Sequence, residues 1–340
     1  MAGGSSEQAQ ALWYVGPGLA EIRAEQVLPP AEGEVRLRAV ASALSRGTER
    51  LVFSGRIPES EYKRMRAPFM DGAFPFPVKY GYAMVARIEE GRAALKGRLC
   101  FSLYPHQTVF NLPEQNIVLL PQDLPPQRAV LAANMETALN AMWDCQPGPA
   151  DRIAVVGAGV LGLLVARLCA RMPGTQVTVV DVNLERAAIA ASFGAAFAAP
   201  DAAPEGCDIV IHTSAASAGL ATALRLAGDE ATVLELSWYG ADDVRVPLGG
   251  GFHSGRLRLI SSQVGKVAPS HRPRWDYRRR LSAALDLLND PVLDGLLAPA
   301  IGFGDLPARL PDILNPASGP LCQLIRYSNS EPPGALRVRR

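Results

Sequence analysis

The chain has 340 residues, 48% hydrophobic and 20% charged, which is long and apolar enough to bury a substantial core and leaves room for two domains. Its 34 basic and 33 acidic residues leave a formal net charge of +1, so charge gives no reason to expect nucleic acid or an anionic membrane as a partner. No run nears the ~18 apolar residues of a membrane span. The first residues carry no basic segment followed by an apolar core, and five single cysteines fit a reducing compartment, so a cytoplasmic location is expected.

Residues 9–125 alternate short apolar runs with Pro- and Gly-rich turns. Strands are expected at Ala11–Val15, Glu34–Leu44, Tyr82–Glu89, Arg98–Leu103 and Asn116–Leu119, without regular helices between them. That pattern describes a β-rich unit. Residues 127–145 then read as an apolar helix. From residue 151 strands (153–156, 177–181, 208–212, 231–236, 257–262) alternate with helices (160–171, 184–193, 217–227), which implies an α/β, doubly wound parallel sheet. An arginine-rich amphipathic helix is expected at 274–290, and a disordered tail at 328–340.

Within this alternation, Ile153–Val156 leads into Gly157, Gly159 and Gly162, the G-x-G-x-x-G spacing between a strand and a helix. The first glycine permits the sharp turn, the second leaves the backbone open to a pyrophosphate, and the third permits close packing of the helix. The following helix start, Val160 and Leu161 included, offers free N–H groups and a positive dipole end to phosphate. Asp181 ends the next strand roughly 20 residues on, where a carboxylate accepts from a ribose diol and repels a 2′-phosphate; this favours NAD over NADP. Val182 and Asn183 follow it directly.

Several segments together resemble the medium-chain dehydrogenase/reductase superfamily, over about residues 11–327. Val40–Glu49 is similar to the segment that leads to the first metal ligand in its zinc-dependent members. Tyr80-Gly81-Tyr82-Ala83 resembles its Gly-His-Glu segment, Gly97–Phe101 its Gly-Asp-Arg-Val strand, and Asn134–Ala138 its entry to the cofactor domain. Asp181–Arg186 resembles Asp-x-x-x-x-Lys/Arg, which would place Arg186 near the adenosine ribose. The resemblance implies a GroES-like catalytic domain (1–132 and 264–327) around a Rossmann dinucleotide-binding domain (133–263). It also implies a nicotinamide contact at Thr137 and a small-molecule substrate. A homodimer is expected, from the family and from an exposed sheet edge at 256–262.

The departures from the family concern metal. The ligand positions fall at Ser45, at Tyr82 and near Ala133 or Asn134, and no four-cysteine lobe lies between Cys100 and Asn116. Neither a catalytic nor a structural zinc is expected. Ser45-Arg46-Gly47-Thr48-Glu49 and Ser54-Gly55 resemble a zinc-lacking bacterial branch.

Without a metal, another group must polarise the substrate oxygen. Tyr82, at a former ligand position, can donate a hydrogen bond to an alkoxide, or simply fill the vacated space. Ser45 and Thr48 can contact substrate or serve the turn. Glu49 is a general base if burial favours its neutral form, or a structural anion if Arg46 or Arg50 pairs with it. His106, in a loop, is a candidate proton shuttle. His212, with Thr213, Ser214 and Ser237, lies at strand ends where a cofactor would be met. His253, in a loop before the last strand, either borders substrate or closes a turn, and His271 is expected to be exposed. Arg272, Arg274, Arg278, Arg279 and Arg280 form either an anion site or a solvated face. The expectation is a zinc-independent, NAD(H)-preferring alcohol/carbonyl oxidoreductase. The rivals are an NADPH-dependent alkene reductase, a catalytically silent redox sensor, and a metalloprotein using Glu49 and His106.

Overall fold

The computed structural model describes residues 6–327, so the expected tail at 328–340 lies outside the described residues. Two compact units are present. One runs through Val130 and resumes at Leu297; the other is Leu131–Leu296.

The first unit opens with the strands β1 (Glu7–Gly16), β2 (Leu19–Val27) and β3 (Glu34–Ala43), then helix α1 (Arg46–Phe53). Strands β4 (Asp71–Gly72), β5 (Val78–Lys79), β6 (Met84–Glu90), β7 (Leu99–Ser102), β8 (Val109–Pro113) and β9 (Val118–Leu119) follow, then α2 (Pro126–Ala129). One sheet has the order β2-β1-β5-β4. Strand β1 buries Ala9, Ala11, Leu12 and Tyr14. Strand β2, Leu19-Ala-Glu-Ile-Arg-Ala-Glu-Gln-Val27, went unrecognised in the sequence. Its charged, largely exposed face gives little apolar signal, and pairing along β1 from Glu7 to Gly16 holds it.

The second unit begins with α3 (Ala132–Cys145), so the apolar stretch 127–145 is two helices divided at Val130–Leu131. It continues β10 (Arg152–Val156), α4 (Val160–Ala170), β11 (Gln176–Val180), α5 (Ala187–Ser192), β12 (Ala196–Ala198), β13 (Cys207–His212), α6 (Ser217–Leu226), β14 (Ala227–Glu235), β15 (Arg258–Ser261) and α7 (Tyr277–Leu287). The sheet order is β12-β11-β10-β13-β14-β15, parallel throughout. Strand order reverses between β10 and β13, the point where ligands meet such sheets. Ala154, Val156, Val210 and Val233 pack with Leu220, Ala223 and Leu224 of α6. Each large buried aliphatic side chain contributes about 1.5–3 kcal/mol.

Residues 264–296 cluster with this second unit, so the return expected at 264 comes at Leu297. Arg280 is one of the ties that hold this segment to α3. It is 2% exposed, and it donates to Glu136 Oε1 at 3.0 Å and Asn140 Oδ1 at 2.6 Å on α3. The arginine run therefore divides: Arg280 is a buried tie, while Arg272, Arg274, Arg278 and Arg279 are exposed. His271 is not free in solvent as expected. Its ring stacks on Trp143 with centroids 4.2 Å apart.

The chain re-enters the first unit with β16 (Leu297–Gly302), α8 (Leu306–Ile313) and β17 (Cys322–Arg326). These strands complete the second sheet, ordered β16-β17-β3-β6-β7-β9, with β8 also paired to β3. Among the described residues no helix is long and apolar enough to cross a membrane.

Candidate functional site

In the second unit the glycine turn joins β10 to α4. Gly157 has φ +113°, and a Cβ there would stand 2.7 Å from Thr213 Oγ1, so only glycine fits without displacement. Gly162 is fixed by the turn itself: a Cβ would meet the Gly157 carbonyl oxygen well inside contact distance. The closest contact is thus helix against its own loop, where helix against sheet was expected. At Gly159 no atom lies within 4 Å of a Cβ position. That face of the turn is open, while the other two glycines are enclosed.

Asp181 stands just after β11 and is already engaged with the turn. Its Oδ2 accepts from Ala158 N–H at 2.6 Å, and its Oδ1 from Asn183 N–H at 2.8 Å. The carboxylate is thereby held at the lip of the loop, with further lone pairs for a diol. Asn183 caps the 3₁₀ turn Leu184–Arg186 by accepting from Glu185 N–H at 3.0 Å, and Val182 is 82% exposed. Val160 and Leu161 form the first turn of α4. Thr213 Oγ1 donates to the Gly157 carbonyl at 2.9 Å, tying the end of β13 to the turn. Thr137 Oγ1 donates to Ala133 O at 2.9 Å within α3. Ser237 Oγ accepts from Ala215 N–H at 3.0 Å. Ser214 and His212 bond to each other at 2.7 Å.

In the first unit, the Tyr82 hydroxyl donates to Ser45 Oγ at 2.6 Å, so the two positions that the family resemblance matches to metal ligands share a hydrogen bond. Burial, with the Glu49 charge adding to it, pushes the Tyr82 phenol up to about 12, although hydrogen bonds with Ser45 and Thr48 pull the other way. The phenol remains a proton donor across the physiological range. Beneath this pair lies a buried polar cluster. Glu49 and His106 are both 0% exposed, and His106 Nε2 is 3.1 Å from Glu49 Oε2. Glu49 Oε2 also accepts from Tyr14 O–H at 2.7 Å, and Oε1 from Ser45 N–H at 2.7 Å. The other His106 nitrogen, Nδ1, is 2.9 Å from Ser42 Oγ, which is 2.9 Å from Tyr327 O–H.

Tyr14, Ser42 and Tyr327 gave no signal in the sequence, because they come from β1, β3 and the segment after β17. The arginine partners considered for Glu49 are not its partners. Arg46 instead donates to the carbonyls of Pro320 and Asn315. Burial also separates Glu49 and His106 from solvent, which places them under Tyr82 and Ser45.

Zinc does not fit the first unit's ligand positions. Two neutral hydroxyls already bonded to each other offer neither thiolate nor imidazole. Among the described residues no group of three His, Cys, Asp or Glu side chains is arranged to hold a metal. Glu49 and His106 each spend their lone pairs and N–H groups on buried neighbours.

No family model matches the sequence. A galactitol 1-phosphate 5-dehydrogenase of Escherichia coli (strain K12) is 30% identical over 81 residues, which span 24% of this chain and 23% of that relative's length. The solved structure of an Escherichia coli CFT073 alcohol dehydrogenase, described as short-chain and complexed with NADH, matches with a TM-score of 0.75. Its identity is 16%, over 95% of this chain and 100% of that one. The L-idonate 5-dehydrogenase of Escherichia coli str. K-12 substr. MG1655 matches with a TM-score of 0.76 at 11% identity, over 95% and 99% of the two chains. At these identities the likeness is one of fold. The glycine-turn parallel sheet and the β-rich unit are both covered by these matches, so the chain has the two-part fold of these dehydrogenases.

Proposed function

We propose that this protein is a zinc-independent oxidoreductase that interconverts an alcohol and a carbonyl, with NAD(H) preferred over NADP(H). The observation that carries the reading is the carboxylate of Asp181 fastened at the lip of the turn whose only open glycine is Gly159. A dinucleotide fits those residues. Gly159 and the α4 N-terminus would receive the diphosphate, and Asp181 the adenosine ribose. Arg186, Thr213, Ser214, Ser237 and Thr137 are carried as further contacts. A bound nicotinamide would supply hydride chemistry.

The chain's own part is proton handling and orientation. Tyr82, kept protonated, donates to the oxygen of a carbonyl substrate as negative charge develops on it. For that the phenol hydrogen turns from Ser45 Oγ, its acceptor here, to the substrate, and the Ser45 hydroxyl donates in its place to the phenol oxygen. Glu49 and His106 hold the segment beneath: the carboxylate fixes the Ser45 backbone, and the imidazole packs against Gly81, where a Cβ would stand 2.8 Å from the ring.

Calorimetry with NADH and NADPH, followed by turnover on a panel of alcohols and carbonyls with and without a chelator, tests this directly. The expected result is NADH bound more tightly and turnover that survives chelation. Folded protein that binds neither cofactor would sink it, as would activity lost on chelation and restored by zinc. Tight NADH binding without turnover would favour the silent-sensor alternative.

A further inference from the structure

A second relay lies in the second unit, and the redox reading leaves its chemistry unused. His212, the last residue of β13, is 0% exposed. Its Nδ1 is 2.7 Å from Glu235 Oε2 at the end of β14, and its Nε2 is 2.7 Å from Ser214 Oγ. Glu235 is further fixed by Tyr239 O–H, which donates to Oε2 at 2.9 Å, and by Ser237 N–H, which donates to Oε1 at 2.7 Å. Burial by itself would raise the Glu235 carboxyl. The hydrogen bond with His212 Nδ1, together with the Ser237 donors, outweighs burial and holds it below its ordinary value.

These contacts settle where the protons sit. An ionised carboxylate only accepts, so Nδ1 carries the ring hydrogen of a neutral imidazole. Nε2 is then the acceptor, and the Ser214 hydroxyl donates to it. The order carboxylate, imidazole, hydroxyl reproduces the roles of a serine nucleophile, its base and the group that orients the base. Ser214 is exposed, whereas its base is buried. Room for the hydroxyl depends on Gly219 in the first turn of α6. A Cβ there would stand 2.7 Å from His212 Nε2 and closer still to Ser214 Oγ. The same turn leaves N–H groups without intrahelical acceptors, and its N-cap, Ala216, supplies no side-chain cap. Donors for a developing oxyanion therefore adjoin the hydroxyl.

We propose that Ser214, His212 and Glu235 form a nucleophilic relay giving this protein a second chemistry, the hydrolysis of activated carboxylic esters. Ser214 Oγ forms a bond to the acyl carbon while its proton passes to His212 Nε2. The carbon–oxygen bond to the leaving alcohol breaks, and that alcohol departs with the Nε2 proton. Water, deprotonated by His212, then cleaves the acyl-serine and restores the hydroxyl. No redox partner is involved, so the relay can fail while the dehydrogenase reading stands, and the reverse.

The test uses the full chain, free of dinucleotide, with an alkyl fluorophosphonate probe. Ser214 Oγ would bond to phosphorus as fluoride leaves, and mass spectrometry of peptides would locate the adduct. A p-nitrophenyl ester assay runs in parallel. The expected result is a single adduct on Ser214, with labelling and ester hydrolysis roughly 100-fold or more slower in His212→Gln, the loss typical of removing a general base. Ser214→Ala, an exposed substitution that leaves the buried pair in place, should abolish both signals without changing the melting temperature. It keeps the test decisive if His212→Gln does not fold. Ser192→Ala, on exposed α5, serves as the unaffected control. An unlabelled Ser214 in folded protein overturns the proposal, and so does a label on another residue or ester hydrolysis that persists in Ser214→Ala.

Discussion

His106 Nε2 lies 3.1 Å from Glu49 Oε2, and neither side chain has any exposed surface. A buried polar group that loses its hydrogen-bond partner is left unsatisfied, at a cost of about 1–3 kcal/mol. His106→Gln and Glu49→Gln should therefore each lower stability by about that amount in urea unfolding, as should Tyr14→Phe, which removes one donor to Glu49. If both first substitutions leave the midpoint unchanged, the cluster does not hold this unit together.

The glycine turn offers a contrast between two alanines. Gly162→Ala drives a methyl into the Gly157 carbonyl and should destabilise the fold by about 1–3 kcal/mol. Gly159→Ala meets nothing within 4 Å and should melt like the wild type, yet weaken NADH binding by obstructing the diphosphate. Differential scanning fluorimetry and calorimetry on the two variants separate the effects. Unchanged NADH affinity in Gly159→Ala would remove the turn from the cofactor site.

Tyr82→Phe deletes the phenolic proton and keeps the ring. If Tyr82 delivers the proton, kcat for carbonyl reduction should fall by about 10²–10⁴, with little change in unfolding midpoint. A drop of less than about threefold would leave Tyr82 as packing in the vacated metal position.

The Glu235 carboxyl lies below the ordinary value of 4.5 because His212 and the Ser237 donors favour its charged form. A group depressed in the folded state adds stability that is present above its unfolded value and is lost as pH falls through the folded one. The stability advantage of wild type over Glu235→Gln should thus be full near neutrality and shrink as pH falls below the ordinary value of 4.5. Thermal melts of both proteins across that range measure it; a constant difference would contradict the assignment.

Strand β15 ends the parallel sheet, and Leu259 on it is 37% exposed. An uncovered edge of this kind invites pairing with a second copy. Light scattering should report a dimer, and Leu259→Asp should shift it toward monomer. A monomeric wild type would leave the edge unpaired.

Much of the second unit was legible because its signals are local. An apolar β-branched run, three spaced glycines and an acid at the next strand end lie within some thirty residues, and each has a backbone reason to be where it is. The β-rich unit was less so. Strand β8 is held by β3, distant in sequence, and β2, hairpinned to β1, buries too little to show an apolar face. The arginine run shows the same limit: five neighbouring cations look alike, and only packing on Glu136 and Asn140 singles out Arg280.

The sequence by itself determined the parallel α/β sheet and the three-glycine turn between β10 and α4, since both depend on residue type and short spacing. Only tertiary structure decided that Glu49 and His106 are buried beneath Tyr82 and that Glu235 backs His212. Those pairings join residues tens of positions apart, and hydrogen-bond partners at such distances are chosen by strand pairing and burial, which residue type alone does not encode.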